Sequence, residues 1–131
     1  MPIIHVSVTG KQDTQKKRDF MEFAANSICG HTNTLPKNIY VYFHEMEPEN
    51  VRKTAPTVLI DWTMIPDRTN EAKKAIMGEL TDELAKLTGE NRSEIVIIFN
   101  DIPLPNAMLG GPKSAARIIL SPWLKIPLLL A

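Results

Sequence analysis

Pro2 is the residue at the start of this chain with the most chemistry latent in it, because it follows Met1 directly. Methionine is usually removed before a small residue such as proline, and removal leaves a secondary amine in place of an amide. An α-amino group titrates near about 7.7–8. Burial beside cations lowers that further, because both disfavour the ammonium form. An amine that is neutral at pH 7 can take a proton from a carbon next to a carbonyl and return it elsewhere on the conjugated system. Retention of Met1 would acylate the nitrogen and end that chemistry. Proline is roughly 5% of residues in general, so its position alone is equally compatible with a residue that simply opens a strand.

The other reactive side chains form no recognisable constellation. His5, His31 and His44 show no ligand spacing with Cys29 or with one another, so no metal site is expected. No glycine-rich phosphate loop is present, and no cofactor is expected. Cys29 is the single cysteine, which excludes an intrachain disulfide and suits a reducing, cytoplasmic location. The 15 basic and 15 acidic residues cancel, giving no support for nucleic-acid or membrane-surface binding through bulk charge. The start lacks the basic and apolar regions of a signal peptide. No run of about 18 apolar residues exists to span a membrane.

Elements that would position Pro2 are legible in the hydrophobic pattern. Residues 3–9 alternate and are β-branched, which favours a strand. Residues 13–32 carry Phe20, Ala24 and Ile28 on one helical face, and Pro36 closes that segment. Residues 38–45 read as a second strand. The order then returns: a strand over 57–64, a helix over 69–88 with Ile76, Leu80, Leu84 and Leu87 on one face, and a strand over 94–101. At an offset of 56 residues Ile4 maps to Ile60, Lys17 to Lys73, Met21 to Met77, Ile39 to Ile95, Phe43 to Phe99 and Asn50 to Asn106. The helix faces map as Phe20/Ile76, Ala24/Leu80 and Ile28/Leu84. Asn50 and Asn106 sit at matched turns, and turn chemistry accounts for them. The shared order of elements points to an internal duplication.

With 131 residues, 44% of them apolar, the chain suits one domain with a real core. Its repeat units are 2–51 and 57–107, followed by an apolar tail over 112–131. Each strand–helix–strand unit should form a right-handed parallel crossover. The two together give an α/β (α+β) domain, a four-stranded sheet with both helices on one face. The other sheet face then needs cover from the tail or from another subunit, so oligomerisation is expected. Pro122 and Pro127 exclude a continuous helix in the tail, and so apolar a terminus should pack against the sheet or at a subunit boundary.

A Met-Pro start, a first strand from residue 3 and a duplicated β-α-β unit together resemble the tautomerase superfamily, most closely the fused forms of 4-oxalocrotonate tautomerase. Gly10-Lys11-Gln12-Asp13-Thr14-Gln15-Lys16 and Asp67-Arg68-Thr69-Asn70-Glu71-Ala72-Lys73 resemble the family's strand-to-helix segment. Ile39-Tyr40-Val41-Tyr42-Phe43-His44-Glu45-Met46 resembles its second strand, and Leu109-Gly110-Gly111 its closing glycine pair. The similarity covers residues 2 to about 111.

The resemblance implies Pro2 as the catalytic amine and a homotrimer of six pseudo-equivalent units. Pro56, at the matching start of the second unit, is an internal amide with no basic nitrogen. Arg68 aligns with an arginine that binds substrate carboxylate, and a planar guanidinium matches a carboxylate or enolate bidentately. It would also stabilise charge on a dienolate oxygen; a solvated arginine ahead of a helix is the plainer reading. Lys11 holds the comparable place in the first unit. The family's second arginine is replaced by Tyr40 and Val96, and its pocket aromatic by Val51 or Ala107. These departures put the oxalocrotonate substrate in doubt. Tyr40 or Tyr42 could present a hydroxyl to a carboxylate or water, or serve only in strand packing. The expected function is a cofactor-independent keto–enol tautomerase acting on a small carboxylated 2-oxo or enol acid. The alternatives are a Pro-dependent hydratase, dehalogenase or decarboxylase, weakened by the missing second arginine, and a non-catalytic oligomeric relative if Met1 is retained.

Overall fold

The computed structural model describes residues 2–52, 58–64 and 69–108. Strand β1 is Ile3–Thr9, helix α1 Thr14–His31, β2 Tyr40–Met46, β3 Val58–Met64, α2 Asn70–Thr88 and β4 Ile95–Asp101. The four strands form one sheet in the order β2-β1-β3-β4. β1 runs parallel to β2 and β3 parallel to β4, as each crossover requires, while β1 and β3 meet antiparallel at the centre. The tail over 112–131, Leu109-Gly110-Gly111 and Pro56 lie outside the described residues.

Period-two alternation sets which side chains turn inward. Ile4, Val6 and Val8 of β1, with Val58, Ile60, Trp62 and Met64 of β3, are buried toward the helices. Phe20, Ala24 and Ile28 of α1 and Ile76, Leu80 and Leu84 of α2 close over them. These are the two helix faces expected from the 3.6-residue period; Leu87 packs at the margin, partly buried. Truncating one such leucine to alanine typically costs about 2–5 kcal/mol.

Duplication is visible atom for atom. Asp13 and Thr69 cap the two helices, accepting from the N–H of Lys16 and Ala72 and satisfying donors the first turn leaves free. The hydroxyls of Thr32 and Thr88 donate to the carbonyls of Ile28 and Leu84, 2.6 and 2.7 Å away. Lys17 pairs with Glu45 at 2.7 Å, and Lys73 with Asp101 at 3.7 Å. Each of these pairs repeats at the 56-residue offset. The ends of the units differ in one respect: α2 stops at Gly89 in the left-handed region, φ 75°, where its N–H reaches the Ala85 carbonyl, a conformation glycine adopts without a Cβ penalty.

One boundary differs from the sequence expectation, while helix α1, Thr14–His31, lies within one residue of the expected 13–32 at each end. Strand β2 begins at Tyr40 and not at residue 38, because Pro36–Asn38 forms a 3-10 turn with Pro36 at its start.

Candidate active site

Because β1 is parallel to β2 and antiparallel to β3, the beginning of β1, the beginning of β2 and the end of β3 share one end of the sheet. Pro2 sits there, buried, immediately ahead of β1. Its carbonyl accepts the backbone N–H of Tyr40 across 3.0 Å. The next residue, Ile3, lies opposite Tyr40 on one side and Thr63 on the other. At the same end the Met64 carbonyl accepts from the N–H of Ile102 at 2.8 Å. Backbone bonding thus fixes the position of Pro2 from its β2 flank, with the last residues of β3 alongside.

Tyr40 and Tyr42 both project from the sheet face without helices, 40% and 47% exposed. Tyr40 is one rung from Pro2. Tyr42 is two register positions further along and stacks on His5, ring centroids 4.9 Å apart. Lys11 is not brought to Pro2 within the chain. It follows Gly10, whose N–H bonds to the Met46 carbonyl at the opposite end of the sheet. A seven-residue strand, about 3.3 Å per residue, lies between. Residues 65–68, Arg68 among them, lie outside the described residues; β3 ends at Met64, beside Ile3's partner Thr63, and Thr69 immediately after Arg68 is the α2 cap.

Asn38 was not singled out by the sequence. It closes the 3-10 turn two residues before Tyr40, is only 8% exposed, and its side-chain Nδ2 has no hydrogen-bond partner among the described residues. An unpaired buried donor costs about 1–3 kcal/mol of desolvation; Thr9 Oγ1 and Trp62 Nε1 are in the same state, but Asn38 alone of the three lies next to the strand that holds Pro2. The only signal in sequence was its place between the Pro36 turn and the strand that holds Pro2.

The helix-free face also carries a polar cluster. His5 Nδ1 and His44 Nε2 are 2.8 Å apart, and the Asn100 amide donates to Asp61 at 3.4 Å. Shifted carboxylates lie elsewhere. Glu45 is held below the usual carboxylate range by the Lys17 ammonium and the Gln12 N–H, away from Pro2. Glu79 is held low by His31 and Ser27, where α1 meets α2. Among the described residues no three His, Cys, Asp or Glu side chains converge as metal ligands, and no helix is long and apolar enough to cross a membrane.

Comparison with known proteins agrees with this geometry. A probable tautomerase of Ralstonia nicotianae is 38% identical over 60 residues, 45% of this chain and 86% of that protein. Two solved structures share the fold, each with a TM-score of 0.79 over 89% of this chain and 98% of theirs. One is Pt0534 inactivated by 2-oxo-3-pentynoate, 20% identical. The other is the F6 fused 4-OT, solved as an asymmetric trimer, 17% identical. The model of the tautomerase enzyme family matches twice, over residues 2–52 and 56–117, one match for each β-α-β unit, and the chain belongs to that family.

Proposed function

We propose that this chain is a cofactor-independent keto–enol tautomerase that uses the amine of Pro2 as general base on a small 2-oxo or enol acid. The observation that carries the reading is the burial of Pro2 at the head of a central strand, anchored through its carbonyl to Tyr40. Burial disfavours the ammonium form, so the amine freed by loss of Met1 is a base at neutral pH. It removes a proton from the enol hydroxyl or from the carbon next to the carbonyl, and the resulting ammonium delivers that proton to the other end of the conjugated system.

The second unit supplies the wall of the site. Arg68, following four residues after the end of β3, holds the substrate carboxylate and the enolate charge. The Asn38 amide offers a further donor to the substrate oxygen. Tyr40 offers its hydroxyl from the flanking strand, with Tyr42 two register positions beyond. Lys11, at the opposite end of the sheet, meets a site only across a subunit boundary. The assembly is a homotrimer, supported by the fused 4-OT trimer with the same fold and by a sheet face on which Tyr40, Tyr42, Val96 and Ile98 are all 40% exposed or more.

Intact mass first establishes that Met1 is absent, after which ketonisation of phenylenolpyruvate is followed by absorbance. A rate above buffer that falls with the amine's protonation is expected. No rate above buffer with several such enols overturns the reading.

A further inference from the structure

The duplication places the same ion pair at both ends of the sheet, and the two copies are not alike. In the first unit Glu45 lies in a row with Val8 and, beyond it, Val58. In the second unit Asp101 lies in a row with Met64. Continuing the β1–β3 register one step past Ile3 and Thr63 puts Pro2 opposite Met64. Val58 is the counterpart of Pro2 at the 56-residue offset. One row therefore ends on an internal amide, and the other ends on the candidate base.

At the end away from Pro2 the pair is closed. Lys17 Nζ lies 2.7 Å from one carboxylate oxygen of Glu45, and the Gln12 N–H donates to the other. At the Pro2 end Asp101, one methylene shorter, comes only to 3.7 Å from Lys73 Nζ, beyond hydrogen-bond reach. The two lysine side chains are equally buried, 18% and 19% exposed, so the difference lies in the reach of the acid. The Lys73 ammonium sits over the Phe99 ring, 4.4 Å from its centroid. An aromatic face attracts a cation without cancelling its charge, and Phe99 is itself held edge-on against the buried Trp62. Packing thus places the ammonium while leaving it able to take a stronger anionic partner.

We infer that Lys73 is a specificity-determining residue of the Pro2 site, which exchanges its loose contact with Asp101 for a second negative group at the far end of the substrate. This rests on the tautomerase reading above, in which Arg68 holds the carboxylate next to the enol. Neighbouring strands lie about 4.8 Å apart, so Asp101 stands roughly 10 Å from Pro2 across β3. That is the span of a short enol acid with a charge at each end. Met64, between them in the row, is fully buried and neutral, so Lys73 is the cation that the described part of this row offers to the far charge. The equivalent Lys17 is already neutralised at close range by Glu45, at the end that has no amine to serve.

Two enols that differ only in that charge test it: phenylenolpyruvate and its para-carboxy analogue, assayed with the Met-free full chain. Lys73→Met keeps an unbranched apolar stem and removes the charge. It should lower kcat/KM for the dianion about tenfold, mostly through KM, and leave the monoanion as in wild type. Asp101→Glu lengthens the acid to match Glu45, so it should close the pair and lower the dianion's kcat/KM as well. Asp101→Asn should raise it. Lys17→Met, the same loss at the other end of the sheet, should change neither. An equal loss on both enols in Lys73→Met overturns the assignment, as does the same selectivity change in Lys17→Met or wild-type selectivity in Asp101→Glu. If neither enol reacts, the tautomerase reading fails separately, and calorimetric binding of the unreactive hydrocinnamate and its para-carboxy analogue decides the role of Lys73. Tighter binding of the dianion that Lys73→Met abolishes supports it, and equal affinity overturns it. If circular dichroism shows that Lys73→Met does not fold, the Asp101 variants carry the comparison.

Discussion

The N–H of Tyr40 donates to the carbonyl of Pro2 across 3.0 Å, so the strand that presents a tyrosine beside the site also fixes the backbone of the candidate base. The bond uses only the carbonyl of Pro2 and leaves its nitrogen uncommitted.

Pro2→Ala is expected to keep that bond and a primary amine in the same place. The base is altered and not deleted, and kcat should fall while KM stays near that of the parent. Steady-state kinetics with phenylenolpyruvate, on protein whose mass shows Met1 removed, separates the two. An equal rise in KM would mean that Pro2 binds substrate instead of moving protons.

Arg68→Ala removes a charge-assisted bond worth on the order of 1.5–3 kcal/mol, so kcat/KM should fall roughly tenfold to a hundredfold. If carboxylate is held equally in ground and transition states, KM alone rises; if the arginine also meets the dienolate, kcat falls too. A trimeric variant with wild-type kinetics would place the anion site elsewhere.

Asn38→Ala distinguishes a substrate donor from a structural amide. The Nδ2 group has no partner among the described residues, so removing it forfeits no bond of that donor to them. Urea unfolding should show a loss well below the about 2–5 kcal/mol of a truncated core residue, while kcat/KM drops several-fold. A large stability loss with unchanged kinetics would assign Asn38 to packing.

Glu45 should contribute to acid sensitivity. Its pKa is lowered by the Lys17 hydrogen bond first, then by the Gln12 N–H. The unfolded chain therefore binds the proton more readily. The stabilisation is present above the ordinary carboxylate pKa and lost as pH falls through the depressed folded value. Glu45→Gln should lower stability at neutral pH by up to about 1 kcal/mol, the range of partly exposed pairs, with the gap to wild type closing below about pH 4. Denaturant titrations across that range measure it, and a gap independent of pH would remove Glu45 from the account.

Sequence and structure agree where periodicity is strong. The alternation of Ile4, Val6 and Val8 and the stripes through Phe20/Ala24/Ile28 and Ile76/Leu80/Leu84 announced the strands, the helices and their buried faces. Pro2 was legible as a candidate because its place after Met1, not its surroundings, singled it out. The His5–His44 contact was not, since the residues are 39 positions apart and meet only through a register that parallel pairing sets. Asn38 was hidden for a different reason: Pro36 converts the expected first residues of β2 into a 3-10 turn, which removes Asn38 from the alternation that strand reasoning relies on.

The sheet order β2-β1-β3-β4 bears on how the chain breathes. Each unit alone supplies a two-stranded ladder, and the first strand of each unit finds its second neighbour only in the other unit. β1 and β3 therefore exchange their inward amides by opening both units together, so the repeats behave as one cooperative element and not as two independent ones. β2 and β4, each with one edge unpaired among the described residues, open at lower cost. Tyr40, the residue that tethers Pro2, starts one of those looser edges, so the mobility of the candidate base is set by local fraying of β2 while the strand it leads stays shut.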